Sequence, residues 1–310
     1  MREEIGISLL PLDELQQELS DLENGSFTSL TDGELHEKIR TINEGFVIHA
    51  PIVQPGTIIY RAVKISKRPT HKSRISYPPV ELIKTNGRLN RVGEVMFYGS
   101  FDQLASCLYE CSCDVGDFFA ISVWLTKQAM MFNHLGYSTK VLSELKSNRD
   151  LPFFAQMQEE SERNRIFREW QAKVFTKHIP FDQTHLYRLP IALKDYALGK
   201  VVGTNPNGPS GFSGIIYPSI ALRLLTDNVA IMPTEVDSKL DLIEVILITL
   251  DATREIIKED GSTETQTTFK TYAFARPDAI GNLIWGQKSQ VIQTPGTDLF
   301  DVAPRLLPPE

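Results

Sequence analysis

Cysteine is scarce in this sequence, long apolar runs are missing, and basic residues are outnumbered by acidic ones. The only three cysteines, Cys107, Cys111 and Cys113, crowd into one short stretch. An odd, clustered set builds no disulfide framework and points to a reducing compartment. It is also a poor zinc site, since zinc usually takes four ligands at recurrent spacings and no histidine lies nearby in sequence. No metal is expected, and thiols packed in a core are the better reading. No segment approaches the about 18 consecutive apolar residues of a membrane helix. The opening Met1-Arg2-Glu3-Glu4 is acidic where a signal peptide would be basic and then apolar. The expectation is a cytoplasmic protein without membrane contact. With 32 basic and 39 acidic side chains the formal charge is −7, so a general grip on nucleic acid is not expected. Neither G-x-G-x-x-G nor G-x-x-x-x-G-K-[ST] occurs, which leaves a Rossmann or P-loop site without support. The lack of a G-x-S-x-G elbow does the same for a serine hydrolase.

What is present is an ordinary globular composition of 310 residues, 42% hydrophobic and 23% charged, enough for one large domain or two small ones. Between Lys64 and Arg91, eight basic residues face a single acid, Glu81, a patch suited to a small phosphorylated ligand as well as to a polynucleotide. Leu12, Leu15, Leu19 and Leu22 keep helical spacing up to the stop at Asn24-Gly25. Thr31 with Glu34 reads as a capping box opening a second helix through Leu35, Ile39 and Ile42. Strands are expected over 52–63 (broken at Pro55-Gly56), 94–99, 118–125, 214–217, 229–232 and 240–250, and helices after Ser100, over 159–177 and over 191–198. Asp260-Gly261 between polar alternating segments signals a hairpin. The run from Thr204 to Gly211 is a loop by its turn chemistry, and the C-terminal ten residues read as an irregular tail. Short strands broken by a few helices, without a βαβ rhythm, predict an α+β fold. The expected divisions are a helical extension over 1–50, a core over 51–250, and a hairpin with tail over 251–310.

Three separated pieces carry a resemblance. They are Tyr60-Arg61-Ala62; then Gly87-Arg88-Leu89-Asn90, followed by Phe97-Tyr98-Gly99 and Glu110; then Gly214-Ile-Ile-Tyr-Pro-Ser219. With Pro78-Pro79 ahead of the second piece and Asn228 after the third, they fall in the order seen in the RES-domain family. The chain resembles that family from about Tyr60 to about Leu250. It departs from the usual pattern at Leu89, where an aromatic residue is frequent, and at Ser213, where aspartate is. The resemblance implies an ADP-ribosyltransferase-like core, an NAD⁺ cleft, and a bacterial toxin that depletes NAD⁺ and is neutralised by an antitoxin protein. NAD⁺ would be the substrate, with no further cofactor. The residues matching the motifs are Arg61, Arg88, Tyr98, Glu110 and Ser219, with Asn228 beside them.

The chemistry is coherent with those residue types. Breaking the nicotinamide–ribose bond builds positive charge on the ribose, while nicotinamide departs as a neutral molecule without a general acid. Arginines suit a diphosphate through forked contacts, and a carboxylate steadies the cationic ribose or orients the attacking water. On this reading Arg61 and Arg88 hold the diphosphate or ribose, Tyr98 meets the nicotinamide end, Glu110 is the catalytic carboxylate, and Ser219 orients substrate or Glu110. Taken singly, each has an ordinary alternative: Arg61 a solvated strand residue, Arg88 a turn residue, Tyr98 a core aromatic, Glu110 an exposed helix residue paired with a lysine, Ser219 the cap of a helix starting at Ile220. His71 and His134 are expected to serve packing or the surface. Two further functions compete: an ADP-ribosyltransferase acting on a protein, and a silent nucleotide-binding module. The helical segments outside the motifs suit a cover, a partner or a homo-oligomer.

Overall fold

Leucines at positions 15, 19 and 22 fall on one side of helix α1 (Leu12–Glu23), and all three are buried. The helix ends where Gly25 takes a left-handed φ of 97°, a conformation that glycine adopts without steric cost. Helix α2 (Asp32–Asn43) opens on the expected capping box: the Thr31 side chain accepts from the Glu34 backbone, and the Glu34 carboxylate accepts from Thr31 N. These elements belong to a computed structural model that describes residues 9–46, 50–101, 106–109, 111, 114–138, 161–177, 179–199, 211–219, 227–257 and 263–289. The loop over 201–210, the hairpin tip at Asp260-Gly261 and the C-terminal tail lie outside them.

The chain separates into two compact units, neither of them a continuous stretch: one is built from 1–53, 79–96 and 130–232, the other from 54–78, 97–129 and 233–310. The first unit contains α1, α2, α4 (Glu162–Thr176) and α5 (Arg188–Ala197) with the strands β1 (Ile52–Val53), β5 (Met130–His134), β6 (Gly214–Pro218) and β7 (Asp227–Ile231). Within it β1 pairs antiparallel with β5, β5 parallel with β6, and β6 antiparallel with β7. A parallel pair cannot be closed by a tight turn, and the crossover from β5 to β6 carries α4 and α5. Helix α4 matches the expected element but not its expected narrow stripe: Asn164, Phe167, Arg168, Trp170, Gln171, Val174 and Phe175 are all buried, so the helix is enclosed on most of its circumference. Strand β5 was not anticipated.

The second unit is an antiparallel sheet in the order β3-β2-β4-β8-β9-β10, made of β2 (Ile58–Ile65), β3 (Phe97–Phe101), β4 (Phe118–Thr126), β8 (Leu240–Ile257), β9 (Thr263–Pro277) and β10 (Leu283–Trp285). Helices α3 (Ser106–Tyr109) and α6 (Pro233–Lys239) belong to it. The β8–β9 register from Ile257↔Thr263 onwards is the expected hairpin, and β8 runs unbroken past position 250. Side chains alternate across the sheet. Ala62, Phe119, Ile121, Val123, Ile246 and Ile248 share one face, and Cys107 and Leu108 of α3 pack on it. Cys107 is thus the core thiol expected. The fold is mixed α+β.

Two motif glycines have a packing reason. A Cβ at Gly214 would stand 2.1 Å from the Ala230 carbonyl oxygen on the neighbouring strand, and one at Gly99 would stand 2.9 Å from the Tyr60 carbonyl oxygen. Backbone cannot yield as a flexible side chain does. Gly214→Ala should therefore cost about 3 kcal/mol or more, measured as a drop in the urea midpoint; an unchanged midpoint would show that β6 and β7 do not approach this closely.

Candidate active site

In the second unit, strand β2 carries Arg61 onto the face opposite Ala62, alongside its cross-strand partner Ser122. The Arg61 guanidinium is half-buried and among the described residues has no carboxylate. It donates instead to two main-chain oxygens, Nε to Ser76 at 2.9 Å and Nη1 to Tyr98 at 2.7 Å, and its plane lies over the Phe97 ring at 5.4 Å. Desolvation lowers its pKa, yet an arginine so placed stays charged. Among the described residues Nη2 has no acceptor. Beneath it the Trp124 indole donates to the Ser122 hydroxyl at 2.8 Å, and that hydroxyl lies 3.2 Å from the carbonyls of Arg61 and Ile75. The loop at 75–76 and strand β3 are thereby tied to β2 around one cation.

Tyr98, half-buried on β3, is brought to Arg61 through its own carbonyl. Glu110 lies outside the described residues. Its chain neighbour Cys111 does not: the thiol sits 3.6 Å from the carbonyl of Ala62, the residue after Arg61.

The other three candidates belong to the first unit. Arg88 leaves a turn closed by Gly87 N donating to the Asn90 carbonyl at 2.9 Å. Its Nη1 donates to the Phe175 carbonyl, both terminal nitrogens reach the Lys177 carbonyl at 3.4 Å, and its plane lies over the Tyr187 ring at 5.6 Å. The last carbonyls of a helix lack intrahelical donors and carry the negative end of its dipole. Arg88 therefore caps α4, a more specific task than the turn residue or the diphosphate ligand that sequence reasoning considered. Ser219 follows the end of β6 and is 0% exposed; Asn228, on β7 opposite Tyr217, is 2% exposed. A hydroxyl so enclosed positions its neighbours and is no solvent-facing nucleophile. The helix proposed to start at Ile220 lies outside the described residues. His134 is buried on β5, and His71 joins its loop to the Ile280 carbonyl at 3.1 Å within the second unit.

Sequence reasoning missed a charge network in the first unit. Lys194 of α5 is 0% exposed and lies 2.6 Å from Glu94 and 2.8 Å from Asp195. Asp195 also meets Arg91 at 2.5 Å and His36 of α2 at 3.0 Å. The available signal was two adjacent charges, Lys194-Asp195, inside an otherwise apolar helix.

No protein-family model matches the chain, and no curated protein is significantly similar to it. Among the described residues no helix is long and apolar enough to cross a membrane, and no group of three or more histidine, cysteine or acidic residues is arranged to hold a metal ion.

Burial alone would push the Asp195 carboxyl up, but His36, Lys194 and Arg91 outweigh it and hold the group well below the usual carboxylate range. A depressed folded pKa stabilises above the unfolded value of about 4 and is lost as pH falls through the folded one. Asp195→Asn should therefore cost about 3 kcal/mol at pH 7, by leaving buried cations short of a partner. It should also flatten the fall in stability below about pH 4. Urea unfolding of both proteins across pH 2 to 7 checks this; parallel curves would place Asp195 outside the acid response.

Proposed function

We propose that this chain cleaves the nicotinamide–ribose bond of NAD⁺, as a glycohydrolase or, with phosphate as acceptor, a phosphorylase. On this reading the chain is an NAD⁺-depleting toxin built on a RES-type, ADP-ribosyltransferase-like core and held in check by an antitoxin protein. One observation carries the reading: the Arg61 guanidinium is held by the Tyr98 carbonyl, and Cys111, the residue that follows Glu110, reaches the carbonyl of Ala62, next to Arg61 on β2. Three motif pieces far apart in sequence supply the rest.

On this reading each group has a task. Arg61 is oriented by two carbonyls and keeps Nη2 for a diphosphate oxygen; a fork fixed in advance loses little freedom when it binds. Glu110 opposes the charge that develops on the ribose. Tyr98 contacts the nicotinamide end. Ser219 and Asn228, both enclosed, hold the substrate-facing chain in place. Arg88 acts by fixing the end of α4.

The test is incubation of the full chain with NAD⁺, with and without phosphate, and separation of nicotinamide, ADP-ribose and ADP-ribose-1″-phosphate. Nicotinamide release supports the reading, and the companion product names the acceptor. ADP-ribose found attached to protein would make the chain a transferase instead, and intact NAD⁺ would leave the nucleotide-binding module. Glu110→Gln should keep the fold and reduce turnover about a hundredfold or more, because the charge opposite the developing cation is lost. Full turnover in a folded Glu110→Gln protein would remove Glu110 from the chemistry.

Lysine in place of Arg61 keeps the charge but loses the fork that serves two carbonyls and a ligand together. Arg61→Lys should raise KM at least as much as it lowers kcat, with a loss of stability of about 1 to 3 kcal/mol from the broken carbonyl contacts. Arg88→Lys should show mainly the stability loss. Kinetics beside thermal melts separate the two, and an Arg61→Lys protein with wild-type KM would make this arginine purely structural.

A further inference from the structure

The charge network of the first unit borders a cavity of about 300 Å³, within the size range of small-ligand sites. Arg91, Arg188, His36, Asp32 and the amide of Asn86 form its polar wall, while Leu35, Val92 and Ile191 form an apolar one. On the two arginines and the amide, the hydrogen-bonding capacity that remains is donor capacity. Arg188 engages Asp32 Oδ1 through Nε at 3.0 Å and Nη2 at 2.8 Å, and the Leu30 carbonyl through Nη2 at 2.6 Å. Among the described residues its Nη1 has no acceptor. Arg91 engages Asp195 through Nη1 at 2.5 Å and lies against His36 through Nη2 at 3.2 Å. Its Nε has no acceptor among the described residues either. Asn86 Oδ1 accepts from Val92 N at 3.0 Å, and among the described residues the Nδ2 hydrogens are unengaged. The rim carboxylate, Asp32, is already held by Arg188.

We propose that this cavity is a binding site for a small organic oxyanion, a phosphate monoester or a carboxylate bearing an apolar group. Only a group rich in acceptors satisfies three donors that line one cavity, two of them on cations, and charge-assisted bonds of this kind are the stronger ones. Val92, 58% exposed on the apolar wall, offers the surface that the hydrocarbon part covers, with Leu35 and Ile191 packed behind it. The charges of Arg91, Arg188 and Lys194 are balanced by Asp32, Glu94 and Asp195. Recognition here comes from donors held in position, not from a general positive field. Asp195 and Glu94 supply that rigidity, since they anchor Arg91 from behind. The ligand would bridge α2, α5 and the 86–92 segment. None of Arg61, Arg88, Tyr98, Glu110, Ser219 or Asn228 takes part, so the inference does not depend on NAD⁺ chemistry.

The experiment is calorimetric titration of the full chain with phenyl phosphate, benzoate, inorganic phosphate and, as the uncharged analogue, benzyl alcohol. Saturable one-site binding of phenyl phosphate or benzoate is expected, with inorganic phosphate weaker and benzyl alcohol silent. Asn86→Asp keeps the oxygen that serves Val92 N but sets a negative charge where a donor stood. It should weaken phenyl phosphate binding about tenfold or more without moving the melting temperature of the free protein. Arg188→Lys keeps the charge beside Asp32 and removes Nη1; it should weaken binding similarly and decides the matter if Asn86→Asp does not fold. NAD⁺ turnover should stay at the wild-type level in both. Absence of saturable binding overturns the proposal, as does undiminished binding in a folded variant. Inorganic phosphate bound as tightly as phenyl phosphate would overturn the role of the apolar wall.

Discussion

A guanidinium taken partly out of water needs oxygen around it, and Arg61 finds that oxygen in the main chain. Its two carbonyl acceptors lie on separate pieces of chain, Ser76 in the loop after β2 and Tyr98 on β3. The cation thus fixes three segments of the second unit at once. Carbonyls satisfy its hydrogens without cancelling its charge, as a carboxylate would. The strand stays held together, and among the described residues the cation keeps one nitrogen unengaged. On the proposed reading, folding and anion binding draw on the same group.

The first unit treats its cations in two other ways. Arg88 is placed on the end of α4, where helix carbonyls and the dipole call for a positive charge. Lys194 is buried outright, and Glu94 and Asp195 compensate it. Such a compensated cluster contributes little net stability compared with an apolar core, but removing one member is costly. Its larger consequence is order: it ties α2, α5 and the segment at 91–94 to one another.

Elements whose signal is local were legible in the sequence. Helices α1 and α2 follow from leucine spacing, a glycine stop and a capping box, and the β8–β9 hairpin from Asp260-Gly261 between alternating strands. Strand β5 was not legible, because Met130-Met-Phe-Asn-His134 is buried along most of its length and shows no alternation. Missing it concealed the parallel pairing with β6. The enclosure of α4 was hidden for a similar reason: Asn164, Arg168 and Gln171 read as a solvated face, yet they are buried. Pairings between distant segments also decide the two interleaved units, and no periodicity records them. Of the candidate site, the Arg61–Tyr98 proximity could be anticipated only as two neighbouring motif pieces. The capping role of Arg88 required knowing where α4 ends in space.

The central claim is that Arg61, oriented by Ser76 and Tyr98, grips the diphosphate of NAD⁺. The most direct measurement is NMR of the full-length Glu110→Gln protein with guanidinium-labelled arginine, titrated with NAD⁺ while the diphosphate phosphorus signals are followed. The account predicts that the Arg61 resonance and both phosphorus signals shift together and saturate at one equivalent. An Arg61 resonance that stays still while NAD⁺ binds, or NAD⁺ that does not bind at all, would contradict it.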